Sequence, residues 1–383
     1  MRRLLIITSE YPPFAFGGIG RYIYEIIPLL SKRFKIHILC IPSYSVSYSW
    51  DTSPHPIPDV HTYFLQSDAY QSIVSSEDPD SDEYKQISLD LFKDFKDKVG
   101  DLKFDCIFLQ HFMELEVARW IARENPTARR VYFSHLPNPA MYSYFDRKNS
   151  MKRHQELEGF CLVWAEVILT PSQYSKRVLT STYSVNEARI KVLPHGGILP
   201  GTKPTNNRQP KSFATVGRFT EQKGWGTLVN LIDAMKENGV TQRWFIIGDG
   251  RLRPTLVEMI RKRLPHENVQ FFRMMDPNEF PELFRSVKYY VQTSDYESFG
   301  LAAMEAALNG CVPILTDIPP FREVFGAHKS VCFFQPGHFS EVLSLVNLDS
   351  SKDTDSAEAN AEEFFSHCWT WERHINELSH LLY

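Results

Sequence analysis

Two glutamates separated by seven residues, Glu297 and Glu305, are the side chains best placed to do chemistry. Glu297 follows a β-rich run, Lys288 to Thr293, and Glu305 lies inside a predicted helix that ends at Asn309-Gly310. Gly300 leaves the first N–H groups of that helix open to an oxygen ligand. Each carboxylate can accept hydrogen bonds from neighbouring hydroxyls. The pair therefore predicts a site for two hydroxylated groups, a sugar and a ribose, although isolated helical glutamates are usually solvated.

Two basic residues follow another β-rich run, Phe213 to Val216. Gly217 and Arg218 come directly after it, and Lys223 follows in the same loop. Arginine binds a diphosphate as a planar fork and lysine binds it as a point charge. These residues would stabilise negative charge on a departing nucleoside diphosphate. The alternative is a solvated basic loop.

Gly17-Gly18-Ile19-Gly20 follows the first β-rich run and leads into a predicted helix from Arg21 to Leu30. Such glycines let backbone N–H groups approach an anion, and the helix start adds partial positive charge. Ile23 replaces the third glycine of a dinucleotide fingerprint, and no acidic residue follows the second strand. A nicotinamide enzyme is therefore disfavoured, and an ordinary glycine-rich turn remains the alternative.

His135 stands at the carboxyl end of a predicted strand, Arg130 to Ser134. An imidazole there can donate to a sugar hydroxyl or to a developing charge, whereas a lone histidine is more often structural. Gly248-Asp249-Gly250 forms a tight turn after another strand and would shape the same kind of site.

Short β-rich runs alternate with helix-like stretches along most of the chain, which is the pattern of parallel sheets covered by helices. The pattern restarts after a proline-rich linker, Pro194 to Pro210. It predicts an α/β protein with two Rossmann-like, doubly wound domains facing a central cleft. An irregular stretch, Pro42 to Asp82, is interpreted as a long loop in the first domain. The predicted strands are Arg3 to Thr8, Lys35 to Ile41, Asp105 to Gln110, Arg130 to Ser134, Val167 to Thr170, Ile190 to Leu193, Ser212 to Gly217, Arg243 to Gly248, Val269 to Phe272, Lys288 to Thr293, Val312 to Thr316 and Ser330 to Phe334.

Composition agrees with two globular domains. The length of 383 residues exceeds the usual size of a single hydrophobic core. Hydrophobic residues make up 43% and charged residues 23%, which is ordinary for a globular protein. A net charge of -4 gives no reason to expect nucleic acid as a partner. The six scattered cysteines indicate reduced thiols, and no apolar run is long enough to cross a membrane. A cytoplasmic protein is expected, with peripheral membrane contact left open.

The motif Glu297-Ser298-Phe299-Gly300-Leu301 with Glu305 resembles the E-x7-E signature of retaining GT-B glycosyltransferases, specifically family 4. Gly17 to Gly20, Gly217-Arg218-Phe219 with Lys223, and Gly248 to Gly250 occur in that family's order. The resemblance implies an acceptor-binding domain, residues 1–195, and a domain for a nucleoside-diphosphate sugar, residues 196–365. It also implies that residues 366–383, with Trp369 and Trp371, pack back on the first domain.

The resemblance further assigns roles to individual residues. Arg218 and Lys223 would hold the diphosphate, and Glu305 the ribose. Glu297 with the backbone of Phe299, Gly300 and Leu301 would hold the sugar. Gly17 and Gly18 would approach the phosphate from the first domain, and His135 would face the reaction centre. The catalytic candidates are therefore His135, Arg218, Lys223 and Glu297, and the donor-binding candidates are Gly17, Gly18, Arg218, Lys223, Phe299, Gly300, Leu301 and Glu305.

The expected reaction is hexosyl transfer from a UDP- or GDP-sugar to a carbohydrate or lipid-linked carbohydrate, as in exopolysaccharide, lipopolysaccharide or glycolipid synthesis. No cofactor and no metal are expected. Asp78-Pro79-Asp80 and Asp353-Thr354-Asp355 have D-x-D form but lie in polar segments without strands. Rival interpretations are a catalytically idle sugar-nucleotide-binding subunit, a sugar-nucleotide epimerase and a phosphorylase. Two departures from the family pattern, His195-Gly196-Gly197 and Asp317-Ile318-Pro319-Pro320, affect linker geometry and sugar contacts.

Overall fold

The computed structural model describes residues 1–14, 17–42, 57–75, 81–139, 148–197, 208–273, 275, 279–347 and 369–383. The chain separates into two compact units, one formed by Met1–Pro194 with Trp371–Tyr383 and the other by His195–Thr370. Both D-x-D segments and most of the predicted linker lie outside the described residues.

The first unit contains a seven-stranded sheet in which every neighbouring pair of strands is parallel. Its strands are β1 (Arg2–Thr8), β2 (Phe34–Cys40), β3 (Val60–Phe64), β4 (Cys106–Leu109), β5 (Arg129–Phe133), β6 (Val167–Thr170) and β7 (Ile190–Val192). Their order is β3-β2-β1-β4-β5-β6-β7. The chain adds strands towards one edge of the sheet from β1 to β3 and towards the other edge from β4 onward, so the strand order reverses between β1 and β4. In such sheets ligands bind beyond the carboxyl ends of the strands that flank this reversal.

Helices accompany this sheet, and the last helix of the chain belongs to the same unit. Tyr22 donates its hydroxyl to His374 Nε2 over 3.0 Å, and Arg33 bonds to Ser379 Oγ over 2.9 Å. The last helix therefore packs on the first one. The helices are α1 (Gly18–Leu30), α2 (Asp68–Ser75), α3 (Ser81–Val99), α4 (Leu115–Glu124), α5 (Lys148–Trp164), α6 (Gln173–Thr182) and, at the end of the chain, the C-terminal helix (Trp371–Leu382).

The prediction of an irregular stretch from Pro42 to Asp82 is wrong over its second half, where β3 and α2 form. β3 lies at the edge of the sheet, and its residues are partly exposed rather than buried. Its sequence therefore lacks the continuous apolar run by which the internal strands are recognised. Residues 43–56, which include the aromatic part of that stretch, lie outside the described residues.

The second unit repeats this plan with six parallel strands. They are β8 (Gln209–Val216), β9 (Arg243–Ile247), β10 (Val269–Phe272), β11 (Val287–Gln292), β12 (Val312–Thr316) and β13 (Cys332–Phe334). Their order is β10-β9-β8-β11-β12-β13, with the reversal between β8 and β11. The helices are α7 (Trp225–Glu237), α8 (Arg253–Arg261), α9 (Phe280–Ser286), α10 (Leu301–Leu308), α11 (Pro319–Phe325) and α12 (Ser340–Asn347).

The prediction of two doubly wound α/β domains is confirmed. In the second unit, two apolar clusters cover the sheet, one around Trp244 and Leu231 and the other around Tyr290 and Met304. Burial of both faces accounts for the apolar sequence of these strands. Among the helices that the structure describes, none combines the length and apolarity required to span a bilayer.

Candidate active site

The loops that follow β8 and β11 meet at the reversal point of the second sheet. Asp295 N donates to Gln222 O over 2.9 Å, and Thr293 Oγ1 donates to Lys223 O over 3.0 Å. Gly224 makes this contact possible because its φ is +60° and a Cβ there would lie 1.9 Å from Thr293 O. The two loops therefore hold each other in place.

This junction pairs Lys223 with Glu297. Glu297 is only 8% exposed, and its Oε1 accepts hydrogen bonds from Lys223 Nζ at 2.5 Å, Gln292 Nε2 at 2.6 Å and Ser294 Oγ at 2.9 Å. Three donors on one oxygen fix the orientation of the carboxylate. The other oxygen, Oε2, receives no hydrogen bond from any residue that the structure describes. It remains available to a ligand hydroxyl.

The start of α10 follows Glu297 directly, as predicted. Gly300 precedes the helix with φ of +91°, and a Cβ there would lie 2.5 Å from Cε1 of Phe321. The ring of Phe299 is buried against His195 and Trp369, at centroid distances of 5.3 and 5.6 Å. Phe299 can therefore offer a ligand its backbone but not its ring.

Glu305 lies in the second turn of α10 and is 7% exposed. Burial raises the pKa of the Tyr290 hydroxyl well above its usual value, and the negative charges of Glu297 and Glu305 raise it further. Both carboxylates therefore lie close to Tyr290 of β11.

Arg218 and the Gly248-Asp249-Gly250 turn occupy the other side of β8. Phe219 N donates to Asp249 O over 2.7 Å, and a Cβ at Gly248 would lie 1.9 Å from Gly217 O. The glycine turn thus packs against the backbone of the loop that carries the half-buried Arg218. Its glycines permit this close approach.

Sequence reasoning missed the residues that orient Glu297, namely Gln292 and Ser294. Both are buried polar residues at the end of an apolar strand. Because buried polar side chains require partners, polar residues that directly follow the apolar strand Val287–Gln292 were a usable signal.

In the first unit, the glycine-rich turn already holds an anion. Glu10 Oε2 accepts hydrogen bonds from Gly17 N at 2.8 Å and Gly20 N at 3.0 Å. This corrects the expectation that these N–H groups face an external phosphate, because two of them are bound to the chain's own carboxylate. Gly18 is exposed, and a Cβ added to it would meet no atom within 4 Å, so it remains open to a ligand.

His135 lies at the end of β5, stacked on Phe133 with ring centroids 4.2 Å apart. Its Nε2 is 2.9 Å from Gln110 Oε1. Burial, together with His111 and His374, lowers its pKa to about 3, so the imidazole is neutral at pH 7. His135 is therefore suited to hydrogen bonding rather than to carrying charge.

A buried carboxylate shapes the loop that contains His135. Glu158 accepts hydrogen bonds from Ser134 Oγ and Asn138 N, each at 2.9 Å, and from Tyr183 OH at 2.8 Å. Burial raises the pKa of Glu158 despite these bonds. Ser134 and Asn138 flank His135, so their bonds to Glu158 fix the chain on both sides of it.

Solved structures share the fold of the chain. It matches sucrose-phosphate synthase from Thermosynechococcus elongatus with a TM-score of 0.80 at 15% identity, over 99% of this chain and 98% of that one. It matches HepE from Anabaena, solved with UDP and glucose, with a TM-score of 0.74 at 16% identity, over 100% and 99% of the chains. The fold is that of GT-B glycosyltransferases.

Sequence comparison identifies the family. Residues 16–196 match the model described as Glycosyltransferase Family 4, and residues 202–363 match Glycosyl transferases group 1. The two models together cover most of the chain, which belongs to this family of glycosyltransferases.

Curated relatives match over part of their length. The amylovoran biosynthesis glycosyltransferase AmsD of Erwinia amylovora is 27% identical, over 40% of this chain and 43% of that protein. An uncharacterized 41.2 kDa protein in the cps region of Klebsiella pneumoniae is 34% identical, over 58% and 63%. A GDP-mannose:cellobiosyl-diphosphopolyprenol alpha-mannosyltransferase of Xanthomonas oryzae is 34% identical, over 42% of each chain. The chain spans less than two thirds of each of these relatives.

Proposed function

We propose that the protein transfers a hexosyl group from a UDP- or GDP-linked sugar to a carbohydrate or lipid-linked carbohydrate acceptor, with retention at the anomeric carbon. The observation that carries this proposal is the pairing of Lys223 with Glu297 at the reversal point of the second sheet. It joins a cation suited to a diphosphate with a carboxylate suited to a sugar.

Each donor group has a matching protein group. Arg218 and Lys223 bind the diphosphate, and Glu305 accepts hydrogen bonds from the ribose. Oε2 of Glu297 and the backbone of Phe299 to Leu301 hold the transferred sugar. Charge-assisted hydrogen bonds contribute about 1.5–3 kcal/mol each. Those that strengthen as negative charge grows on the diphosphate lower the barrier to transfer.

In the reaction, the bond between the anomeric carbon and the diphosphate oxygen breaks, and its electron pair stays with the diphosphate. The acceptor hydroxyl oxygen bonds to the same face of the anomeric carbon, and its proton passes to the departing phosphate. In the first unit, the neutral His135 can form a hydrogen bond with a sugar hydroxyl, and the exposed Gly18 offers its backbone N–H. Lys223 and Arg218 supply the positive charge that a metal ion supplies elsewhere, so the transfer requires no metal. Donor hydrolysis that disappears in EDTA would contradict this.

The pathway proposed is exopolysaccharide, lipopolysaccharide or glycolipid synthesis, at the cytoplasmic side of a membrane with peripheral contact. AmsD serves amylovoran biosynthesis and the Klebsiella relative lies in a cps region, which supports this assignment. The described cysteines are all free thiols, which fits a reducing compartment.

A panel of UDP-, GDP- and ADP-sugars, scored by thermal shift and by slow donor hydrolysis, tests the proposal. At least one donor should stabilise the protein and be hydrolysed, and Lys223→Ala and Glu305→Ala should strongly reduce both signals. Lys236→Ala, at an exposed position of α7, is the control. Binding and hydrolysis that stay near wild type in both site variants would refute the site. Binding without hydrolysis or transfer would favour a catalytically idle subunit.

A further inference from the structure

The carboxyl end of β4 carries three polar atoms that the donor site does not use. Gln110 Nε2, His111 Nδ1 and Glu114 Oε2 are buried, and none forms a hydrogen bond with any part of the chain that the structure describes. Folded proteins leave few such atoms, and each one calls for an explanation. Here three occur within five consecutive residues, at the reversal point of the first sheet.

His111 and Glu114 form an incomplete carboxylate–imidazole pair. His111 Nδ1 lies 3.6 Å from Glu114 Oε2, which is beyond hydrogen-bond length. Glu114 is fully buried, and its Oε1 accepts a hydrogen bond from Tyr70 OH at 3.3 Å. Such contacts are often long without substrate and tighten in the complex.

The carboxylate determines which nitrogen of His111 a ligand meets. A carboxylate beside Nδ1 favours the tautomer with the proton on Nδ1, which leaves Nε2 as a hydrogen-bond acceptor. The side chain of His111 is 26% exposed although its Nδ1 is buried. Nε2 is bonded to no described residue, so it is the nitrogen that a ligand hydroxyl can reach.

The surroundings favour a neutral, hydroxyl-rich ligand. Gln110 bonds through Oε1 to His135, which is neutral at pH 7. The nearby carboxylates of Glu114 and, after the adjacent strand β1, Glu10 would repel an anion. A sugar offers hydroxyls that both donate and accept, and it matches these groups.

We propose that the end of β4 is an acceptor subsite, in which His111 Nε2 accepts a hydrogen bond from a sugar hydroxyl and Glu114 is the positioning residue for His111. This inference rests on the proposed function and assigns its acceptor side to named residues of the first unit.

Nitrogen-15 NMR of the full chain labelled at histidine tests the tautomer without any acceptor. His111, assigned from His111→Gln, should carry its proton on Nδ1 in the wild type. In Glu114→Gln, which keeps the side-chain volume, that preference should be lost. Glu124→Gln, at an exposed position of α4, is the control and should leave it intact. Wild-type His111 protonated on Nε2 would overturn the role given to Glu114.

Binding is tested with the methyl glycosides of glucose, galactose and mannose and with the corresponding octyl glycosides. At least one of these probes should shift the Nε2 signal of His111, and the shift should weaken at least fivefold in Glu114→Gln. The exposed His338 serves as an internal reference. If none of the probes moves the His111 signal, the subsite is refuted.

Kinetics distinguish acceptor binding from a structural role. In His111→Gln and Glu114→Gln, the KM for the glycoside that shifts His111 should rise about tenfold, while donor hydrolysis without acceptor stays within twofold of wild type. Equal losses of transfer and donor hydrolysis would show that the residues only support the fold. Because the donor site is probed separately by nucleotide binding, failure of the proposed function remains distinguishable from failure of this subsite.

Discussion

Lys223 Nζ lies 2.5 Å from Glu297 Oε1, and this contact ties the loop after β8 to the loop after β11. Both side chains are largely buried, with exposures of 18% and 10%. A buried charge that loses its partner is costly, because its low-dielectric surroundings do not stabilise the charge as water would. Each residue therefore depends on the other, and the cation assigned to the diphosphate is positioned by the carboxylate assigned to the sugar.

Glu297→Gln should lower donor hydrolysis by about two orders of magnitude, as removal of one group that stabilises a transition state commonly does. The amide keeps the volume of the carboxylate but removes the charge that holds Lys223. Lys223→Met should have an effect of similar size, and the double variant should lose less than the two effects combined, because both act through one contact. Steady-state hydrolysis and nucleotide affinity by calorimetry are the measurements.

The pair Glu258–Lys262 provides a matched control for this cycle. Lys262 Nζ and Glu258 Oε1 are 2.6 Å apart, but the side chains of Glu258 and Lys262, at the end of α8, are 67% and 69% exposed. Exposed pairs contribute little, so Glu258→Gln should leave hydrolysis unchanged. Fully additive losses for Lys223 and Glu297 would contradict the coupling.

Gly300→Ala should weaken donor binding more than its backbone conformation alone explains. Gly300 and Gly337 have similar φ values, +91° and +85°. At either position, a residue with a side chain would strain the backbone. Only at Gly300 does the added Cβ meet another group, Cε1 of Phe321 at 2.5 Å, whereas it meets nothing within 4 Å at Gly337. Both variants should lose about 1 kcal/mol of unfolding free energy from backbone strain.

The difference between the two glycine variants isolates the clash at the start of α10. Gly300→Ala should lower the melting temperature further and reduce affinity for the donor nucleotide, while Gly337→Ala binds normally. Phe321→Leu in the Gly300→Ala background should restore part of the loss. Equal behaviour of both variants in melting and nucleotide titration would show that the packing against Phe321 is unimportant.

Glu10→Gln should loosen the first turn of α1. Glu10 Oε2 accepts two backbone N–H groups, from Gly17 and Gly20, and the carboxylate also faces the positive end of the helix. The neutral amide loses the charge and places an NH₂ group among donors, at a cost of about 1–3 kcal/mol. Hydrogen exchange at the start of α1 should accelerate about tenfold or more. Asp97→Asn, at an exposed position of α3, should not change it; unchanged exchange in Glu10→Gln would contradict the assignment.

The contacts of Glu10 could not be predicted from the sequence. Its partners are backbone N–H groups, seven and ten residues further along the chain, and a backbone group has no sequence signature. The glycines were recognised as an anion-binding turn, but the sequence could not reveal that the anion is internal. The same limit applies to β3, because an edge strand lacks the buried apolar run of the internal strands.

The residues of the candidate donor site could be recognised in the sequence because Glu297 and Gly300 follow the apolar strand β11 and Glu305 lies in the next helix. The alternation of apolar runs with helical stretches predicted the fold. The contact between Glu297 and Lys223 was not predicted, because these residues are 74 positions apart in the sequence. It depends on β8 lying beside β11, and hydrophobic periodicity identifies strands without giving their order.

Acidification should destabilise the first unit through His374, which lies on the C-terminal helix and contacts Tyr22 of α1. Its Nδ1 donates to Pro194 O over 2.7 Å, so Nε2 accepts from Tyr22 OH and no proton can be added without breaking that bond. Burial lowers the pKa of His374 to about 4, whereas an unfolded histidine has a pKa of 6.5. The unfolded state therefore binds a proton that the folded state does not.

The stabilisation from neutral His374 is fully present above pH 6.5 and is lost as the pH falls towards 4. Between pH 6.5 and pH 5 the free energy of unfolding should drop by about 1.6 kcal/mol from this residue alone. Urea unfolding at several pH values measures this drop in unfolding free energy. His374→Gln should remove the part of the drop that comes from His374, whereas the part from His135, which is also buried and neutral, should remain. His338→Gln, at an exposed position, should leave the pH dependence unchanged. A His374→Gln variant with the wild-type pH slope would show that Tyr22 and Pro194 do not keep this imidazole neutral.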